Sequence, residues 1–443
     1  MTEHLPELEI ESLAYNGYGV GRWEGKVVFI PLTAPGDRVR FRILQEQKNL
    51  CFGEIAEMVA PSSQRRSPPC PVFGQCGGCH WQHLPYPIQV AWKESIFKDQ
   101  LRRHGGVAEN AFSAAVAAPA EWGYRSRVQF KCRLTEKGFV AGFFRRQSHF
   151  VIDIVGCPLA DPVINATLDR CRRRISGLAL ADRIPQIDIS SDEEGRVRVV
   201  VHQLSQEANR LAQTLRPEWE GEGVSVYLQS GRNHTLRRLG GEDRLALFPL
   251  PSRRALRLGY EAGCFSQVNA AANRNLVAEL VSLAGLTGKE RVVDLFCGVG
   301  NLTFPLARSA GEVIGIENYP AAVESAHRNA AANGIGNVRF FQGDANREGN
   351  LLDTLGKIDL AVLDPPREGA FRAIKSLLRL QVPRILYVSC NPSTLARDLV
   401  PLLHAGYEVT LARAYDFFPQ TFHIEGLVHL QRRSKSPGSE PKG

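Results

Sequence analysis

Hydrophobic and polar positions change their period twice along this chain. Between residues 7 and 60, short apolar runs alternate with polar positions at a spacing of about two, the mark of half-buried strands. The runs Leu8–Leu13, Lys26–Ile30, Arg38–Leu44 and Phe52–Val59 are candidate strands, and Asn16-Gly17 and Pro35-Gly36 mark turns. Several short strands in so small a region predict an OB-like β-barrel. The Pro/Ser/Arg stretch Pro61–Pro71 reads as a linker. Residues 84–104 carry a helical pattern that stops at Gly105-Gly106, and residues 124–260 alternate strand and loop patterns, as in Arg125–Leu134, Phe139–Phe144 and Arg196–His202. From about Gly263 helix and strand alternate: helix Asn269–Ala284, then strands Arg291–Phe296, Glu312–Glu317, Val338–Gln342, Ile358–Asp364, Arg384–Ser389, Tyr407–Ala414 and Ile424–Leu430. Helical segments separate the first five, whereas Tyr415–His423 leaves no room for a helix between the last two. The pattern predicts a parallel α/β sheet that ends in a β-hairpin.

The expected organisation is therefore a barrel over residues 1–61, a central mainly β domain over 62–260, an α/β domain over 261–434, and a tail, 435–443, of disordered composition. The chain has 443 residues and is 44% hydrophobic, enough for several cores. No apolar run reaches the roughly 18 residues of a membrane span. The start, Met1-Thr2-Glu3-His4, lacks the basic and apolar regions of a secretory leader, so a cytoplasmic protein is expected, with no membrane and no obligate protein partner. In a reducing compartment its ten cysteines point to metal binding or catalysis rather than disulfides.

The net charge of +8 is concentrated: residues 63–260 hold 29 Lys and Arg against 19 Asp and Glu, while residues 1–62 hold 6 against 9. Arg102-Arg103, Arg125, Arg127, Lys131, Arg133, Arg145-Arg146 and Arg172-Arg173-Arg174 are candidate phosphate contacts, although each cluster alone also suits a solvated face.

Three strand ends carry the candidate chemistry. Val292-Val293-Asp294-Leu295-Phe296-Cys297-Gly298-Val299-Gly300-Asn301 is an apolar strand that ends in an acid and a Gly-rich turn, which suits a nucleotide-type ligand. The next strand ends in Glu317, where an acid can take both ribose hydroxyls, and the third is followed by Asp344, within reach of an adenine amino group. No P-loop lysine follows, so a phosphate-free nucleoside is favoured over ATP or NAD, and S-adenosylmethionine fits. The other two ends are Leu363-Asp364-Pro365-Pro366-Arg367 and Ser389-Cys390-Asn391-Pro392. A thiolate at Cys390 could add to C6 of uracil and activate C5, and Glu425 is the candidate base for the C5 proton. Asp364 could accept a hydrogen bond from uracil N3–H. Cys70, Cys76 and Cys79, with the distant Cys157, supply four soft ligands, and their spacing suits either zinc or an iron–sulfur cluster.

The segments Cys264–Asn269, Asp294–Asn301, Leu363–Arg367, Ser389–Pro392 and His423–Glu425 resemble the RNA 5-methyluridine methyltransferase family, and the likeness extends over nearly the whole chain. The resemblance implies a Rossmann-like S-adenosylmethionine-dependent methyltransferase domain, a TRAM domain over residues 7–60, and a [4Fe–4S] cluster on Cys70, Cys76, Cys79 and Cys157. It implies Cys390 as nucleophile and Glu425 as base, with Gln267, Phe296, Asn301, Glu317, Asp344 and Asp364 lining the cofactor or target-base site. The combination of TRAM domain and cluster resembles the members that act on 23S ribosomal RNA. The alternatives are the same chemistry on tRNA and a non-catalytic RNA-binding iron–sulfur protein.

Overall fold

The barrel strands bury alternate side chains. In Glu7–Leu13 (β1), Leu8, Ile10 and Leu13 point inward. With Tyr18–Trp23 (β2), Lys26–Pro31 (β3), Arg38–Glu46 (β4) and Leu50–Ala60 (β5), it closes in the order β1-β2-β3-β5-β4 around Val28, Ile30, Val39 and Phe41. The structure, a computed structural model, describes residues 5–204, 208–215, 224–231, 235–243, 245–252, 256–347, 352 and 354–433; the expected tail at 435–443 lies outside them. The small barrel is as expected, but β2 was not legible, because Gly19 and Gly21 interrupt its apolar pattern. A β-carbon at Gly19 would sit 1.9 Å from Thr33 Oγ1, so that position has room only for glycine.

The stretch after the barrel is anchored. Asp37, fully buried, receives Arg65 Nε at 2.8 Å and Nη2 at 2.7 Å on its two oxygens. Arg66 reaches the Gln82 carbonyl, Glu121 and Gln420, each at 3.0 Å.

Helix α1 (Tyr86–Gly105) and strand β6 (Phe112–Val116) follow. A second sheet takes β7 (Arg127–Thr135), β8 (Gly138–Phe144), β9 (Val151–Asp153), β10 (Gln186–Ser191), β11 (Val197–Gln203), β12 (Val224–Ser230) and β13 (Arg237–Gly240), in the order β13-β12-β11-β10-β7-β8-β9. Helix α2 (Pro162–Ile175) buries Ile164, Leu168, Cys171 and Ile175 in the core of this unit. Asp161 caps it by accepting the Val163 N–H, with Pro162 in the first turn. Helix α3 (Ala208–Leu215) and the short pair β14 (Ala246–Leu247) and β15 (Leu258–Gly259) lead into the last unit.

That unit runs α4 (Ala270–Ala284), β16 (Arg291–Leu295), α5 (Thr303–Ala307), β17 (Glu312–Glu317), α6 (Pro320–Ala332), β18 (Val338–Gln342), β19 (Leu360–Leu363), α7 (Phe371–Arg379), β20 (Arg384–Ser389), α8 (Pro392–His404), β21 (Tyr407–Tyr415) and β22 (Glu425–Arg432). Its sheet has the order β18-β17-β16-β19-β20-β22-β21-β6. The first five strands are parallel, and β22 is antiparallel to both neighbours, the expected hairpin. Strand order reverses at β16, so a crevice opens beyond the carboxyl ends of β16 and β19, the usual ligand position in such sheets.

Two segments from the range 62–260 are built into this unit. β6 extends its edge parallel to β21, and α1 packs Ile96, Phe97 and Leu101 into one core with Leu395, Ala396 and Leu399 of α8. No helix among the described residues is long and apolar enough to cross a membrane.

One buried ion pair ties α1 to the β21–β22 connection. Lys93 Nζ lies 2.7 Å from Asp416 Oδ1 and 3.0 Å from the Phe418 carbonyl, and both charged side chains are at most 2% exposed. Breaking such a pair leaves one buried charge without its partner. Asp416→Ala is expected to cost about 3–5 kcal/mol in urea unfolding. Replacing both residues with leucine is expected to cost less than the two single changes added together.

Candidate active site

The cofactor half of the crevice is a tight loop after β16. Phe296, Gly298 and Gly300 all have positive φ, at 64°, 55° and 99°. At Gly300 a β-carbon would lie 2.2 Å from the Phe304 ring, so the turn admits no side chain there. The Phe296 and Cys297 N–H groups donate to the Ile316 carbonyl at 2.9 and 3.1 Å, seating the loop on β17. Glu317, at the end of β17, accepts the Gly298 N–H at 3.0 Å and the Tyr319 N–H at 2.8 Å. Asp344, just after β18, accepts the Asn346 N–H at 2.9 Å. Asn301 and Asn273 of α4 exchange two amide hydrogen bonds of 2.9 and 2.8 Å. Gln267, partly buried, lies two residues before the α4 cap Asn269. Among the described residues no hydrogen bond ties Gln267 to the other candidates.

Asp294 was quoted in the motif but not singled out as a site residue. It is fully buried beneath the loop and accepts the Thr303 hydroxyl at 2.6 Å. Its second oxygen has no partner, and burial pushes its carboxyl up to about 7. A buried acid with an unused acceptor can take a hydrogen bond from a polar ligand and disfavours a phosphate, which suits a nucleoside.

The reacting half is formed by three adjacent strands. Asp364 follows β19, Cys390 follows β20, and Glu425 begins β22. Leu363 is in register with Tyr387, and Ser389 with Gly426, so the three side chains share one edge of the sheet. The loops are tied together: Asn391 Nδ2 and Thr394 Oγ1 each donate to the Arg367 carbonyl at 3.2 Å. Asn391 also caps α8 through the Ser393 N–H at 3.1 Å.

The electrostatics are those of a desolvated acidic pocket. Burial raises Glu425 well above the carboxylate range, and Asp364 pushes it further. Burial lifts Asp364, a partly buried residue, to about 7. Two carboxyls that share a dry site resist ionising together, so they titrate as a pair. Burial, then the charges of Glu425 and Asp364, push the Cys390 thiol up to about 12, with Arg367 opposing them. Whatever help the N–H groups at the start of α8 give a thiolate is outweighed by burial and by the two acids. Arg367, the positive group here, stands in the Asp-Pro-Pro-Arg motif but has no role assigned from the sequence.

The four early cysteines converge. Cys70, Cys76, Cys79 and Cys157 line one cavity of about 50 Å³ together with Arg125. Burial pushes the Cys79 thiol up to about 12 and raises those of Cys76 and Cys157. Arg125 Nε is buried there without a hydrogen-bond partner.

Several of the basic clusters are engaged in structure. Arg172 Nη2 donates to the carbonyls of Ala141 and Ile154, and Arg146 Nη1 reaches the Cys79 carbonyl at 3.5 Å. Arg102 and Arg103 both pair with Asp99.

Residues 86–433 match the profile of the tRNA (uracil-5-)-methyltransferases, and residues 7–56 match the TRAM domain. The chain belongs to the tRNA (uracil-5-)-methyltransferase family. It is similar to the 23S rRNA (uracil(1939)-C(5))-methyltransferases of Alkalilimnicola ehrlichii (37% identical, 97% of each chain covered) and Azoarcus sp. (37% identical, 97% of this chain and 100% of the relative). Among solved structures it resembles the Pyrococcus abyssi tRNA (uracil-54, C5)-methyltransferase in complex with S-adenosyl-L-homocysteine, with a TM-score of 0.74 at 23% identity over 96% of this chain and 100% of that one. That likeness is one of fold. The protein is thus an RNA uracil-5 methyltransferase built on the S-adenosylmethionine-dependent fold.

In this family member the free thiol is held protonated, so the ligand-free protein should be a poor nucleophile. At pH 8 roughly one Cys390 in ten thousand is a thiolate if its pKa is near 12. Alkylation of Cys390 by iodoacetamide, followed by peptide mass spectrometry, is expected to be slow at pH 8 and to accelerate with each pH unit. Arg367→Ala removes the opposing charge and is expected to slow alkylation a further few-fold, at most about tenfold.

Proposed function

We propose that this protein methylates C5 of a uridine in 23S ribosomal RNA, with S-adenosylmethionine as donor, Cys390 as nucleophile and Glu425 as base. The observation that carries the reading is the meeting of a cysteine and two mutually repelling carboxyls at three adjacent strand ends. Methylation of an exocyclic amine needs no such nucleophile, whereas C5 of uracil is unreactive until C6 is attacked. Full-length similarity to relatives named for 23S rRNA supports the substrate. A ribosomal RNA substrate also supports the cytoplasm as its compartment.

The donor, when bound, supplies a methyl group carried on a sulfonium. Phe296, Asn301, Glu317, Asp344 and Gln267 are the residues that would hold it, and the unused Asp294 oxygen fits a nucleoside. The target uridine leaves its stack to enter the crevice. Ionised Asp364 accepts its N3–H. Cys390 loses its proton to solvent, and its sulfur bonds to C6 while the C5=C6 electron pair moves to an enolate on O4. C5 then bonds to the methyl carbon as the methyl–sulfur bond breaks, leaving S-adenosylhomocysteine. Glu425, as carboxylate, takes the C5 proton, the double bond re-forms, and the Cys390 thiolate departs. Burial makes Glu425 a strong proton acceptor once ionised.

Cys70, Cys76, Cys79 and Cys157 are proposed to hold a [4Fe–4S] cluster. No group of three or more His, Cys, Asp or Glu among the described residues stands close enough to share one metal ion, yet four thiols line one cavity with a buried cation. The buried cation beside the four thiols suits an anionic cluster, with zinc as the alternative. The cluster would supply structural cross-linking of the Cys70–Cys79 loop to Cys157.

Cys390→Ala is expected to abolish methyl transfer with S-adenosylmethionine binding intact, and Glu425→Gln to trap a methylated protein–RNA adduct that survives a denaturing gel. Nucleoside mass spectrometry of cells without the gene should show 5-methyluridine lost from 23S rRNA; loss from tRNA alone would overturn the substrate. For the cluster, protein purified without oxygen should contain about four irons and four sulfides, and Cys76→Ser should lose most of them. Zinc in place of iron would overturn that assignment.

A further inference from the structure

We propose that Tyr15, on the first turn of the N-terminal barrel, contacts the target nucleotide inside the catalytic crevice and donates its phenol O–H to an acceptor oxygen of that nucleotide. The inference rests on the reading of the crevice as a uridine C5 site. It gives the barrel a residue in the active site, more than 350 positions away from the cysteine and base it serves.

The placement follows from the turn between β1 and β2. Asn16 and Gly17 both take positive φ, 76° and 84°, which folds the turn sharply back. The Gly17 carbonyl accepts the Trp81 indole N–H at 3.3 Å, and a β-carbon at Gly17 would lie 3.0 Å from the His80 β-carbon, so the turn is seated on the His80-Trp81 segment. His80 and Trp81 in turn donate their N–H groups to the Gln420 carbonyl at 2.9 and 3.1 Å. The Tyr15 ring meets Phe422 edge to face at 5.6 Å, three residues before Glu425. Tyr15 packs on the same core as Phe422 and the cofactor-loop residue Phe296, within reach of the charges of Cys390, Arg367 and Glu425.

The hydroxyl has its bonding capacity to spare. Tyr15 is half-buried, and a partly desolvated phenol gains from a partner for its O–H. Tyr124, Tyr387, Tyr407 and Tyr415 donate theirs to protein oxygens, and Tyr86 accepts the Ala118 N–H. Among the described residues the Tyr15 hydroxyl has no hydrogen-bond partner. Burial keeps the phenol protonated, pushed up to about 12, so at neutral pH it is a donor. A uridine nucleotide offers two base carbonyls and its phosphate oxygens as acceptors.

The test uses the full-length protein, S-adenosylmethionine and transcribed 23S rRNA, with 5-methyluridine counted by mass spectrometry. Tyr15→Phe removes one oxygen and keeps the ring on Phe422. It is expected to lower kcat/KM by about five- to tenfold, the size of one net hydrogen bond, with the melting temperature and S-adenosylmethionine affinity unchanged. Tyr15→Ala, which also removes the ring, is expected to lose more. A Tyr15→Phe protein at the wild-type rate would overturn the proposal. So would a loss matched by a lower melting temperature or weaker cofactor binding, which marks a structural role. Wild-type protein that makes no 5-methyluridine on any RNA would sink the reading of the crevice itself, and the proposal with it; an active wild type with an equally active Tyr15→Phe sinks the proposal alone.

Discussion

The chain between Tyr415 and Glu425 is almost wholly buried yet has no regular secondary structure, and the rest of the architecture answers that constraint. Irregular backbone away from water must find partners for each N–H and C=O, since the usual ladder is missing. The partners come from far away in sequence. Lys93 takes Asp416 and the Phe418 carbonyl. Gln89 gives its side-chain carbonyl to the Gln420 N–H at 2.9 Å and its amide to the Gln420 side chain at 2.9 Å. His80 and Trp81 take the Gln420 carbonyl, and Arg66 and Glu121 complete its side-chain amide. Asn269 holds the Phe417 carbonyl at 3.1 Å. The segment's last step is Glu425, so the position of the proposed base is set by a network that spans the whole chain.

This explains why three units that look separate along the sequence behave as one scaffold. The barrel turn, the cysteine loop and α1 all reach the same buried segment. Cys79 is one peptide away from His80, so the cysteine cavity and the support of Gln420 share a backbone. A group that fixed the four cysteines would stiffen that backbone without touching the reacting atoms. The family profile begins at residue 86, the first residue of α1, in keeping with a helix that packs into the catalytic core rather than with the central sheet.

What the sequence made legible was local. The strands from β16 to β20 showed as apolar runs because both faces of a parallel sheet are covered, and their chemistry showed because it sits at their carboxyl ends. Cys390 and Asp364 were found that way, Glu425 stood out as the acid that enters the last strand, and the hairpin followed from the short Tyr415–His423 connection. The remainder depended on distance. Nothing in Phe112–Val116 announces that it will pair with a strand near residue 413, and nothing in Tyr15 announces Phe422. Helix α2 was a different case: Asp161, Pro162 and the spacing of Ile164, Leu168, Cys171 and Ile175 were readable, but its run of arginines drew attention as charge. Arg172 and Arg125 then turned out to serve carbonyls and the cysteine cavity, so regional charge overstated the number of cations facing solvent.

The carboxyl pair shows why the network has to be so extensive. An acid whose pKa rises on folding binds its proton more tightly in the native state than in the unfolded chain. Its contribution to stability is therefore most favourable at low pH and is lost as pH rises from the unfolded value toward the folded one. Asp364 and Glu425 both have this sign, and at neutral pH each weakens the fold that holds it. The same desolvation raises the Cys390 thiol, so all three reacting groups oppose folding in the forms that chemistry needs. Such a site persists only where other contacts over-determine its geometry. Here those contacts are the Lys93–Asp416 pair, the Gln89–Gln420 exchange and the Tyr387–Asp398 hydrogen bond of 2.7 Å beneath the Cys390 loop, none of which touches the reacting atoms.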